Sequence, residues 1–280
     1  MKTALESLRE DAGINELLPY FTQFISEEIT SNLFDLALLF NLLKMIESLI
    51  ESKHLNVEPY LHQLLPSIIT CIVAKRLCKD PTEDHWKLRD LASIILSEIC
   101  KRFSEQYKSL QPRIIKTLLL AFLDPTKPLT THYGSIKCLS LLGVSVIELL
   151  IVPNVHSYYQ ILNVALNSDN AIKKMEAEHV NEALLFACGS YFKQSLEFLP
   201  NLDSQKLLQK KIIGEKEEEN QEMQGDHQET EKQNYKNFIL NIFPNIFQQY
   251  KSLFEIFGEK LSPYVSPLLI NNEQNLFDHI

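Results

Sequence analysis

The side chains best equipped for chemistry in this 280-residue chain are five cysteines, eight histidines and one tryptophan. Cys71, Cys78, Cys100, Cys138 and Cys188 never form a C-x-x-C pair, no H-E-x-x-H occurs, and no histidine stands at metal spacing from a cysteine. No metal site and no cofactor are therefore expected. A nucleophile needs a base within hydrogen-bond reach, and Cys188 lies nine residues from His179 on one expected helix, too far for that pairing. Neither a glycine-rich phosphate loop nor a G-x-S-x-G elbow is present. The chain reads as a non-enzyme, and the chemistry left to it is recognition.

For recognition the candidates are few. Trp86 sits at an expected helix start beside Arg89 and Asp90, and Tyr133 takes the matching place 47 residues later. Tryptophan and arginine are favoured at interface hot spots, so Trp86, Arg89 and Tyr133, with Lys75 and Arg76 nearby, are the candidate protein-binding residues. Helix-start aromatics also fill the space between neighbouring hairpins, which is their commoner use. Leu39-Phe40-Asn41-Leu42-Leu43 spells an L-x-x-L-L docking box, but its leucines fall at ordinary core spacing and read as core. The basic run from Lys75 through Lys79, Lys87, Arg89, Arg102, Arg113 and Lys116 is interspersed with Glu98 and Glu105. It reads as a solvated helix face, with an acidic partner as the alternative, and no direct nucleic-acid binding is expected.

Helices must hold these residues. Tyr60, Leu61, Leu64, Leu65, Ile68 and Ile72 lie three or four apart, and Leu88, Ala92, Ile95, Leu96, Ile99 and Phe103 do the same. Between them Asp80-Pro81-Thr82-Glu83 reads as a helix start with a capping box. The grammar recurs 44 residues on, where Asp124-Pro125 separates Ile114–Leu123 from a helix expected to begin near Thr131 and to stop at Gly143. Upstream, Ile14–Ile29 and Leu33–Ile50 make a hairpin hinged at Thr30-Ser31-Asn32, and downstream Val146–Leu166 pairs with Ala171–Phe192. Leu196–Ile213 reads as half of a fifth unit.

Pro19, Pro66, Pro112, Pro153, Pro200 and Pro244 recur at intervals of about 41–47 residues, five of them after an apolar residue. That period, built from helix pairs, is the signature of HEAT or armadillo arrays. The expected fold is an all-α HEAT-type α-solenoid of about five helical hairpins. Pro66 and Pro153 are expected to kink their helices, since apolar periodicity continues on both sides.

The net charge of −9 is concentrated: residues 214–234 carry eight acids and two lysines, a net −6, leaving −3 for the rest. With almost no apolar residue there, 214–234 reads as an acidic disordered insertion between an array over 1–213 and a C-terminal helical cap with an irregular tail over 235–280. Phe238, Ile242, Ile246, Tyr250, Leu253 and Phe257 mark the cap's apolar face. No apolar run of the ~18 residues that a membrane span needs occurs, and the N-terminus shows no signal pattern. The odd cysteine count inside apolar stretches suggests reduced thiols in cytosol or nucleus.

Several blocks now carry a specific likeness. Leu64-Leu65-Pro66, Cys71-Ile72-Val73-Ala74-Lys75-Arg76-Leu77-Cys78, Asp84-His85-Trp86-Lys87-Leu88-Arg89-Asp90, Leu17-Leu18-Pro19-Tyr20-Phe21 and Thr131-His132-Tyr133-Gly134-Ser135-Ile136 resemble the C-terminal HEAT domain of the sixth TBP-associated factor. The resemblance spans roughly residues 1–200. It implies a nuclear, non-catalytic scaffold of the general transcription factor TFIID or of a SAGA-type coactivator. The partners it implies are TBP, other TBP-associated factors or SAGA subunits. Members of that family also carry an N-terminal histone fold, and none of its pairing is carried over to these residues. An importin-like transport adaptor or a phosphatase-type regulatory scaffold are the alternatives that hairpin arrays offer.

Overall fold

The computed structural model describes residues 2–197, 245–246 and 248–264, and all regular structure among them is helical. The chain divides into two compact units, Met1–Ala187 and Cys188–Ile280, with the boundary inside one long helix.

The first unit opens with α1 (Lys2–Glu10), which was not expected as a helix, and a 3-10 turn over Ala12–Leu17. Hairpins follow: α2 (Leu18–Ser31) with α3 (Leu36–Glu51), α4 (Leu61–Val73) with α5 (Trp86–Phe103), and α6 (Leu110–Leu123) with α7 (Leu129–Leu141). Next come α8 (Val144–Val146), a π turn over Ile147–Ile151 and α9 (Val152–Leu166), then α10 (Ala171–Glu197). The helices form two layers: α2 packs on α4 in one, and α5 lies between α3 and α7 in the other. This is the stacked-hairpin architecture that the period announces.

Local chemistry explains most boundaries. Asp35 accepts from the Leu38 amide at 3.0 Å and caps α3, and Asn170 accepts from the Ile172 and Lys173 amides at 3.0 and 3.1 Å to cap α10. The expected hinge at Thr30-Ser31-Asn32 is corrected to 32–35, because the Thr30 hydroxyl donates back to the Ser26 carbonyl at 2.8 Å and stays helical. Gly143, at φ 132°, ends the α7 segment in a conformation that side chains disfavour.

The helix start expected at Asp80-Pro81 is also corrected. Asp80 Oδ1 accepts from both the amide and the hydroxyl of Thr82, at 2.9 and 2.8 Å, and α5 begins only at Trp86. Asp124 repeats this on Thr126 at 2.9 and 2.6 Å, before α7 starts at Leu129. With the carboxylate committed to an Asx turn, these Asp-Pro-Thr triplets make loops rather than caps.

The prolines take three settings. Pro19 and Pro112 occupy first turns, where no amide partner is lost, whereas Pro66 lies inside α4. Pro153 stands in the first turn of α9, one residue removed from the π turn, a form of bulge that lets a helix absorb an irregularity. Pro200 and Pro244 lie outside the described residues, as do 196–213 in large part and the acidic stretch 214–234.

In the second unit, residues 245–246 and 248–257 are helical and run into a 3-10 turn over Gly258–Tyr264. Ile246, Tyr250, Leu253 and Phe257 are buried there, and the Tyr191 hydroxyl donates to Gln249 Oε1 at 2.7 Å.

Candidate protein-interaction site

A helix leaves its last carbonyls without intrahelical donors. At the end of α4 those acceptors are met from far along the chain. The fully buried Arg89 guanidinium, on α5, donates to the carbonyls of Ile72 at 2.6 Å and Ala74 at 2.7 Å. Thr131 and Thr130, at the start of α7, donate their hydroxyls to the Val73 and Lys75 carbonyls at 2.7 and 2.9 Å. Four consecutive carbonyls are thus capped by side chains from two other helices. The close approach this needs depends on Gly134, where an added Cβ would stand 2.0 Å from the Ile72 carbonyl oxygen.

Burial lowers the Arg89 pKa to about 10, which leaves it charged at neutral pH. The negative end of α4 is a favourable place for that charge. Arg89 Nε donates in turn to His85 Nδ1 at 3.3 Å, so the imidazole accepts there and carries its own proton on Nε2. Burial, reinforced by the Arg89 charge, holds His85 down at about 4, so it is neutral.

Around this joint the aromatic residues stack. Trp86 contacts the Tyr133 ring edge-on at 4.7 Å between centroids and lies against His85 and His179, each at 4.2 Å. The Tyr133 hydroxyl donates to Asp90 Oδ1 at 2.9 Å, and Lys137 pairs with the same carboxylate at 3.8 Å. His132 bridges onward, with Nε2 at 2.9 Å from the Asp124 carbonyl oxygen and Nδ1 at 2.8 Å from the Tyr158 hydroxyl. Helix α7 is buried on nearly every side although it reads Thr-Thr-His-Tyr-Gly-Ser, because each of its buried polar side chains has a partner.

The candidate residues therefore separate. Trp86, Arg89 and Tyr133 are brought together in the interior, where their contacts are spent on holding α4, α5 and α7 in register. Lys75 and Arg76 are exposed, and Arg76 donates to the Lys79 carbonyl at 2.8 Å. Arg102, read from sequence as part of a solvated basic face, instead donates to the Ile50 and Ser52 carbonyls at the end of α3. The leucines of the L-x-x-L-L box are core residues at 0–1% exposure. Burial pushes the thiols of Cys71 and Cys188 up to about 12 and that of Cys100 up to about 11, which keeps them protonated. Gly134, Thr130 and His179 were missed as contributors to the joint. A glycine inside a helix was the one legible hint, because it must repay its helix cost through a close approach.

Residues 1–156 match the TAF6 C-terminal HEAT repeat domain. The chain belongs to this family. It is 45% identical over 206 residues to the Arabidopsis thaliana protein named transcription initiation factor TFIID subunit 6, covering 72% of this chain and 38% of that one. It is 46% identical over 182 residues to the Schizosaccharomyces pombe SAGA complex/transcription factor TFIID complex subunit Taf6, covering 65% of this chain and 40% of that one. A solved structure, the TAF6 C-terminal domain from Antonospora locustae, superposes with a TM-score of 0.54 at 31% identity, covering 65% of this chain and 86% of that chain. The chain spans less than half the length of these two curated relatives. Within the TAF6 C-terminal domain, the blocks that carried the resemblance turn out to be largely the joint itself: Cys71–Cys78, Asp84–Asp90 and Thr131–Ile136.

Proposed function

We propose that this chain is a non-catalytic scaffold subunit of TFIID or of a SAGA-type coactivator, acting in the nucleus to support assembly of the RNA polymerase II preinitiation complex. What carries the reading is the similarity to proteins named as TFIID subunit 6, which extends over the array and includes the residues of its internal joint. A hairpin stack with its helices locked by buried side chains supplies a long, rigid surface, which is what a spacer between other subunits requires. The name of the fission-yeast relative joins SAGA and TFIID, so both assemblies are partners to be tested.

The test is affinity purification of the tagged chain from nuclear extract, followed by mass spectrometry. Recovery of TBP with TBP-associated factors supports the TFIID branch. Recovery of acetyltransferase-complex subunits without TBP supports the coactivator branch. Recovery of transport receptors or phosphatase subunits in place of either overturns the proposal.

A further inference from the structure

Between α4 and α6 runs a groove of about 420 Å³. One wall is Leu65, Pro66 and Ile69 of α4, and the other is Leu110, Ile114 and Thr117 of α6. Tyr107, before α6, and Glu58, before α4, also line it, and the nearby Glu58 carboxylate raises the Tyr107 pKa. Two features set it apart from a plain apolar cleft.

The first is a main-chain acceptor. Pro66 has no N–H, so the carbonyl of His62, itself a lining residue, lacks the donor that a helix would supply. The His62 ring is held by Nδ1 at 2.7 Å from the Pro59 carbonyl, which makes Nδ1–H the donor and leaves Nε2 as a second acceptor. The second is charge. Arg113 lines the groove, is exposed, and has no ion pair or side-chain hydrogen bond among the described residues. Lys108 and Lys116, each next in sequence to a lining residue, are exposed and likewise without an ion pair among the described residues. Glu58 is the one acid among the described lining residues, against the cation of Arg113.

We infer that this groove docks an extended segment of a partner protein in which an acidic residue stands among apolar ones. A helix of three turns, ~10 Å across and ~16 Å long, would rest on a groove of this size rather than enter it. An extended chain places alternate side chains on the apolar floor, offers its N–H groups to the two His62 acceptors, and sets its carboxylate against Arg113. This inference rests on the scaffold reading above and names a surface through which a partner is held.

The experiment selects a phage-displayed library of random twelve-residue peptides on the intact chain and titrates the enriched peptides by fluorescence anisotropy. The expected result is enrichment of Asp or Glu flanked by Leu, Ile or Phe. Binding should weaken at least tenfold in Arg113→Glu, and similarly in Thr117→Arg, which fills the groove, but stay unchanged in Lys79→Glu. All three sites are exposed, and unchanged melting curves verify folding. Enrichment without an acidic preference, binding indifferent to both groove variants, or no enrichment overturns the inference. If TFIID or SAGA subunits are still recovered with the intact chain, only the groove has failed. If Arg113-dependent peptides bind but those subunits are absent, only the scaffold reading has failed.

Discussion

Arg89 is buried with its charge intact, and its acceptors are backbone carbonyls rather than a carboxylate. Replacing it with Met leaves the Ile72 and Ala74 carbonyls without donors in the interior, a loss of about 3 kcal/mol or more in urea unfolding. Lys should recover only part, because a single ammonium on a flexible stem lacks the planar fork that reaches both carbonyls. Gly134→Ala sets two effects against each other. Alanine gains about 1 kcal/mol of helix propensity, but its Cβ would fall 2.0 Å from a backbone oxygen that cannot move aside cheaply. The clash wins, and thermal melting should show a lower Tm. His85 provides a pH test. Its native pKa is held near 4 by burial and by Arg89, with His179 adding to the effect and Asp84 opposing it, whereas in the unfolded chain it titrates at about 6.5. Protons therefore bind the unfolded state more readily, so the contribution is complete above about pH 6.5 and is lost as pH falls toward 4. His132, also lowered by burial, acts in the same direction. In His85→Asn the slope of stability against pH across that window should be visibly flatter.

Helix α4 contains its own weakness. Pro66 in its interior forfeits a hydrogen bond and crowds the His62 carbonyl. Pro66→Ala should raise the melting temperature through a gain of up to ~3 kcal/mol. In the peptide titration it should also weaken binding, since the His62 carbonyl regains a local donor. Helix α7 shows where periodicity fails as a guide. The stripes of α4 and α5 were legible because one face of each is apolar, but α7 buries Thr, His, Tyr and Ser along with Ile136 and Leu139. Its polarity makes sense only once the carbonyls at the end of α4 are placed beside it. Asp80 misled for a related reason, and Asp124 shares its chemistry. An aspartate before a proline can cap a helix or close a turn, and the choice rests with Thr82 and Thr126, whose hydroxyls and amides both claim one carboxylate oxygen.

In a stack of hairpins each unit touches only its neighbours, so energy passes along the array through successive interfaces. The Arg89–Thr131–Gly134 joint sits in the middle of the Met1–Ala187 unit and binds α4, α5 and α7 at once. Gly134→Ala should therefore do more than lower stability. Within the Met1–Ala187 unit, native-state hydrogen exchange of this variant should resolve two opening free energies, one for α1–α5 and one beyond, where the parent chain should give a single cooperative value. Most of the architecture was legible from the proline interval and the apolar stripes. The joint was not, since backbone carbonyls have no letter in a sequence, and Trp86, Arg89 and Tyr133 invited a surface role that their burial does not support.

The far-reaching caps also carry a consequence in time. The Val73 carbonyl waits for a hydroxyl 58 residues downstream. At ribosomal rates of roughly 5–20 residues per second, that is about 3–12 s of synthesis during which the end of α4 has been made but cannot be closed by α7. For that interval the nascent chain exposes the face that α7 will cover, which makes it a candidate client for ribosome-associated chaperones. A translation stall between Arg89 and Thr131 should therefore leave an open, protease-sensitive chain, whereas a stall after α7 has emerged should leave a resistant one.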